Sequence, residues 1–108
     1  MKFLIIVEGV NGQPTMPPEQ TLKLTKEGWA WSKRLTESGK ADIAYALADH
    51  AGGLNGGVGI MNVNSLEELA EILGTFPMVG MVDFKVYPLV APEVAEKLVE
   101  GALAALPK

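Results

Sequence analysis

Residues 41–63 read ADIAYALADHAGGLNGGVGIMNV, and this stretch decides the fold. Ala41 to Ala48 alternates: Ile43, Tyr45 and Leu47 fall on one side and Asp42, Ala44, Ala46 and Ala48 on the other, the period of a strand. Asp49 to Gly57 is polar, glycine-rich and too long for a tight two-residue turn, so it is expected to be a loop. Val58 to Val63 is a second strand, placed to pair antiparallel with the first. The two form one hairpin, and the segments on either side of it set the topology.

Upstream, Phe3 to Val7 (FLIIV) is a continuous apolar run of β-formers, as in a strand covered on both faces. Gly9 to Met16, with Asn-Gly and Pro14, reads as loop. Pro17, Pro18 and Glu19 then start a helix that runs to about Glu37. Leu24, Gly28, Trp31 and Leu35 share one of its faces. Lys33 and Arg34 suit the negative end of its dipole, and Gly39 stops it.

Downstream, Ser65 and Glu68 have the spacing of a capping box. Leu66, Leu69, Ala70 and Leu73 make the expected buried stripe of the helix that follows, which Gly74 ends. Thr75 to Met81 is an apolar connection. Val82 to Tyr87 alternates again, Pro88 closes that strand, and Pro92-Glu93 opens a last helix with Val94, Leu98 and Val99 on one side.

The order is strand, helix, strand, strand, helix, strand. Right-handed crossovers around a central hairpin make this a split βαβ sandwich, an α+β ferredoxin-like fold with an antiparallel sheet and an extra C-terminal helix. Both crossover helices lie on one face of the sheet. Nothing in one chain covers the other face, and an apolar sheet left in water is an aggregation hazard. A homodimer or higher homo-oligomer, with sheet packed on sheet, is the expected solution. The chain of 108 residues suits one domain, 1–90 as core and 91–108 as the C-terminal helix.

Composition narrows the function. With 48% hydrophobic residues the chain is not disordered. A net charge of −4 without a basic run argues against nucleic acid and against an anionic membrane surface. No cysteine is present and only one histidine, His50, which excludes thiolate chemistry, disulfides and multi-histidine metal sites. No metal or cofactor is expected. The opening MKFLIIVEGV meets Glu8 too soon for a signal peptide, and no segment has the length of a membrane span. A cytoplasmic protein is the expectation.

MPPE at the first helix start, the SGK helix end, NSLEELAEIL and above all TFPMVGMVDFKVYPL resemble the muconolactone isomerase-like branch of the dimeric α+β barrel superfamily. The resemblance spans about residues 1–90. It implies the fold derived above, a homo-oligomer, and cofactor-free proton shifting in an unsaturated lactone. In that family a Trp-Arg pair stands near the second strand and Tyr-Ala-Asn before the third. This chain has Tyr45-Ala46 and His50-Ala51-Gly52 there, without the aligned arginine and tryptophan. ALADHAGG (46–53) also resembles the YCII-related family of the same superfamily. Asp49 matches that family's loop aspartate, whereas Gly28 stands where it has a helix histidine.

Four residues are candidates for proton transfer. Glu8 ends the buried first strand, where partial shielding from water suits a base. His50 carries an imidazole, which titrates near neutrality, in the glycine-rich loop. Asp83 shares a strand face with Lys85 and Tyr87 and is a third candidate base. Tyr45 can donate a hydrogen bond to a developing enolate oxygen. Each has a plainer reading as an exposed loop, edge-strand or packing residue. Trp29, Trp31, Asn62 and Tyr87 are candidates for lining or orienting a small ligand. The two tryptophans lie about 200° apart around their helix, so they cannot face the core together. These residues suit a cofactor-free isomerase of small lactones. A non-catalytic ligand-binding or assembly protein of the same fold is the alternative, and a cofactor-independent monooxygenase a further one.

Overall fold

Local capping sets both main helices. In the computed structural model, which describes residues 1–9, 16–48 and 54–107, the first helix α1 spans Pro18–Glu37 and the second, α2, spans Leu66–Gly74. α1 opens on Pro17 and Pro18 without a side-chain cap. It closes where the amides of Ser38 and Gly39 donate to Arg34 and Thr36 carbonyls and Gly39 turns left-handed at φ 82°. At α2 the Ser65 hydroxyl accepts from the Glu68 amide at 3.1 Å. The Glu68 carboxylate reaches back to the Asn64 amide at 3.0 Å, one residue beyond the usual capping box.

Four strands, β1 (Lys2–Gly9), β2 (Ala41–Ala48), β3 (Leu54–Asn62) and β4 (Val82–Leu89), form one antiparallel sheet in the order β2-β3-β1-β4. The order is that of the expected βαββαβ topology, with a third helix, α3 (Pro92–Ala104), after it. The continuous apolar run of β1 is explained by its central place, paired with β3 on one side and β4 on the other. Phe3 and Ile5 point into the core with Met61, Val63, Ala41 and Leu69, and Leu35 of α1 and Ile72 and Leu73 of α2 close over them. Leu69 is the most deeply buried large side chain, at 2% exposure.

Alternation turns Leu4 and Ile6 to the opposite face, beside Val58 and Ile60 of β3, Ile43 and Tyr45 of β2, and Lys85 and Tyr87 of β4. This face is open: Tyr45 is 63% and Tyr87 50% exposed.

The structure departs from the sequence reading at four places. β3 begins at Leu54, four residues early, because Gly56 and Gly57 pair with Glu8 and Val7 across the sheet. β4 continues through Pro88, which an edge strand tolerates because its outer amides need no partner. A register shift between Ala41 and Ile43 takes Asp42 out of the expected face and lets it pair with Lys2. The buried stripe of α2 is Leu69, Ile72 and Leu73; Leu66 and Ala70 face water.

Candidate functional site

A cavity of about 700 Å³ lies between α1 and the sheet. Its existence follows from what the sheet lacks. On β1 and β4 the helix-facing positions are filled by Ile5, Val7, Phe84 and Val86. On β2 and β3 the corresponding positions are Ala44, Ala46, Gly57 and Gly59, which pair with one another across the hairpin and carry almost no side chain. α1 therefore spans a hollow on that half of the sheet.

Large side chains border the hollow. Trp29 lies over Gly57: a β-carbon on that glycine would come within 3.2 Å of the Trp29 Cη2 and 3.3 Å of the Tyr45 carbonyl oxygen. Phe76 packs against Gly28, where an added β-carbon would lie 3.2 Å from its ring. Phe76 meets Trp31 and Phe84 edge to face, with ring centroids 5.1 and 5.7 Å apart. The Trp31 indole N–H donates to the Thr75 hydroxyl at 2.8 Å, which ties α1 to the end of α2. Met78 and Met81, from the connection before β4, also border the space. Thr21, Thr25 and Ser32 of α1 bring hydroxyls to an otherwise apolar wall.

Among the candidate residues, Trp29 and Trp31 line this cavity and Glu8 borders it, whereas Tyr45 reaches it only with its backbone and turns its ring to the open face, contrary to expectation. Glu8 is half-buried at the end of β1, and its carboxylate lies 3.3 Å from the Lys85 ammonium. Asp83 sits directly across from Glu8 on β4, with Tyr87 and Asn62 farther along the open face; these three do not border the cavity. His50 lies outside the described residues, as do Asp49 and residues 51–53 of the glycine-rich loop. The candidates thus divide between the helix-covered hollow and the open face, with Glu8 where the two meet.

Sequence reasoning missed Gly57, Gly59, Phe76 and Met78 as parts of the site. A signal was present: Gly57, Val58, Gly59, Ile60 is itself an alternating strand pattern, with glycine at every inward position. Among the described residues no three carboxylate or imidazole groups come together as a metal-binding cluster would. No helix among them is long and apolar enough to cross a membrane.

The fold has known counterparts. Muconolactone isomerase superposes on this chain with a TM-score of 0.69 at 22% identity, covering 84% of this chain and 90% of that one. The 5-chloro-2-hydroxyhydroquinone dehydrochlorinase TftG of Burkholderia phenoliruptrix AC1100, solved with 2,5-dihydroxybenzoquinone, superposes with a TM-score of 0.66 at 17% identity, covering 87% of this chain and 98% of that one. At these identities the likeness shows a shared fold, the dimeric α+β barrel fold. No curated protein matches the sequence. The muconolactone delta-isomerase family model matches residues 1–93, and the chain belongs to that family.

Proposed function

We propose that the protein is a small-molecule enzyme that moves a proton within an unsaturated lactone or a related cyclic carbonyl compound, without a cofactor. The cavity carries this reading. Its volume is that of a small-ligand site, its walls are aromatic and apolar, and a carboxylate stands at its edge. A chain that had kept the fold only for assembly would have no need of a hollow floored by glycine and alanine.

The chemistry assigned to the site is simple. A flat ring lies beside Trp29, over the bare floor at Gly59. Glu8 takes a proton from the carbon beside the carbonyl, so a C–H bond breaks and its electron pair enters the conjugated system as an enolate. The Ser32 hydroxyl of α1, which borders the cavity, donates to the enolate oxygen. Glu8 then returns the proton to a different carbon, which shifts the double bond with no net oxidation or reduction. Glu8 is favoured over Asp83 as the base because it borders the cavity and Asp83 does not. Membership of the isomerase family and the fold shared with a dehydrochlorinase solved with a quinone both fit ring-shaped, oxygen-rich substrates.

The same reading includes a homo-oligomer. The open face presents Leu4, Ile6, Ile43, Val58, Ile60 and two tyrosines in one layer, and a second sheet covers such a layer most simply.

The test is proton–deuterium exchange into a panel of unsaturated five-membered lactones, followed by NMR in heavy water. Exchange is expected with the native chain and about 100-fold slower exchange with Glu8→Gln. No exchange with any member of the panel, or equal exchange by Glu8→Gln, overturns the assignment.

A further inference from the structure

The molecule measures 63 × 31 × 23 Å, although its longest core helix, α1, is only about 30 Å long. α3 accounts for the difference. Every one of its residues is exposed, so it rests on neither face of its own sheet. It is nevertheless strongly two-sided. Glu93, Glu96, Lys97 and Glu100 fall on one narrow arc at 100° per residue, and Val94, Leu98, Val99 and Leu103 fall on the other. Leu98 is 67% exposed and Leu103 64%. Four such side chains present about 300–600 Å² of apolar surface, as much as the largest patch that monomers usually leave in water. The polar arc is acidic overall, so an anionic membrane or nucleic acid is a poor occupant.

Two features indicate what covers it. First, the apolar surface is continuous. Tyr87 and Leu89 on the open face lead through Val90 into Val94, so whatever covers the sheet also meets the helix. Second, the charges at the two ends of the open face are unequal. One end carries Lys2, paired with Asp42; the other carries Glu8 and Asp83, directly opposed across β1 and β4, against Lys85 alone. Like charges opposed across strands are destabilising. A two-fold pairing of sheets with strands running the same way would crowd both copies' carboxylates together. With the strands reversed, the Lys2–Asp42 ion pair of each copy, not a second pair of carboxylates, lies over the other copy's Glu8–Asp83 end. A two-fold interface has to be complementary to itself in this way.

We propose that α3 is an arm that packs on a second copy of this chain, at the end of the partner's sheet where Glu8 and Gly9 border the cavity. The direction follows from the register. Lys2 is opposite Leu89, so α3 leaves its own sheet at the Lys2 end, which reversed pairing places against the partner's Glu8 end. Each cavity is then completed by the other copy's arm. The inference rests on the sheet-on-sheet pairing of the previous section.

The chain has no cysteine, which permits a direct test. Val94→Cys or Leu98→Cys protein is mixed with Gly9→Cys protein under mild oxidation, and the assembly is sized by sedimentation. A dimer or larger assembly in which a disulfide joins the two different variants is the expected result. Introducing Leu98→Glu with Leu103→Glu into the Val94→Cys protein should abolish that cross-link, because these exposed positions matter only to the partner. A dimer with no mixed cross-link overturns the arm and leaves the sheet pairing standing. A monomer overturns both.

Discussion

The Trp29 ring and the Gly57 backbone approach so closely that a single methyl group at Gly57 would stand 3.2 Å from the ring. The glycine is part of the cavity floor, and the tryptophan resting on it bounds the space left for a flat ligand. Gly57→Ala is expected to cost about 1 kcal/mol, since the added carbon also meets the Tyr45 carbonyl oxygen. Ligand binding should suffer more than folding does. Affinity for a lactone substrate is expected to fall about 10-fold by titration, while the urea midpoint moves little.

Gly56 occupies a different kind of position. Its φ is +134°, and a β-carbon there would lie 2.0 Å from the Val7 carbonyl oxygen. Neither backbone can yield without breaking the β1–β3 ladder. Gly56→Ala is expected to cost about 3 kcal/mol or more and to lower the thermal midpoint sharply, unlike the neighbouring Gly57→Ala. Equal stabilities for the two variants in denaturant would contradict this assignment.

Phe76 joins three elements through one ring, meeting Trp31 of α1 and Phe84 of β4 edge to face from the end of α2. It is buried, so truncation leaves a void that α1 cannot collapse to fill without closing the site. Phe76→Ala is expected to lose about 3–5 kcal/mol in urea unfolding. Phe76→Leu should lose less and keep measurable activity.

Glu68 links acid stability to one helix start. Its carboxylate accepts from Lys40 at 2.5 Å and from the Asn64 amide at 3.0 Å, and these bonds, the lysine's first, hold it below the usual carboxylate range. A carboxylate with a lower pKa folded than unfolded contributes stability that is present above its unfolded value and is lost as pH falls through its folded value. Glu68→Gln should therefore be less stable than the native chain at neutral pH. The gap between their urea midpoints should narrow as pH falls below about 4. A gap that stays constant with pH would assign the effect to something other than charge.

Much of this architecture is legible locally, because helix starts and strand periods are local physics. Ser65 with Glu68, Pro17 with Pro18, and the glycine at 39 mark helix ends within a residue or two. The uncovered sheet face also follows from topology once both helices are assigned to one side. Family membership was readable too, in TFPMVGMVDFKVYPL, and the family model confirms it.

The site was less legible. Gly56 and Gly57 read as loop because glycine has no strand preference of its own; only pairing with Glu8 and Val7, some fifty residues away, makes them strand. Once they are strand, their missing side chains become the floor of a cavity. The candidate residues differ in chemical type, and tertiary structure sorted them by face: Trp29, Trp31 and, at the margin, Glu8 onto the cavity, and Tyr45, Asn62, Asp83 and Tyr87 onto the open side. The sequence by itself determined the order of elements, the helix ends and the two-sidedness of every helix, since periodicity and capping act over one or two turns. Only the tertiary structure decided where the sheet goes unfilled and that α3 stands clear of its own chain, because both depend on which distant backbone lies alongside.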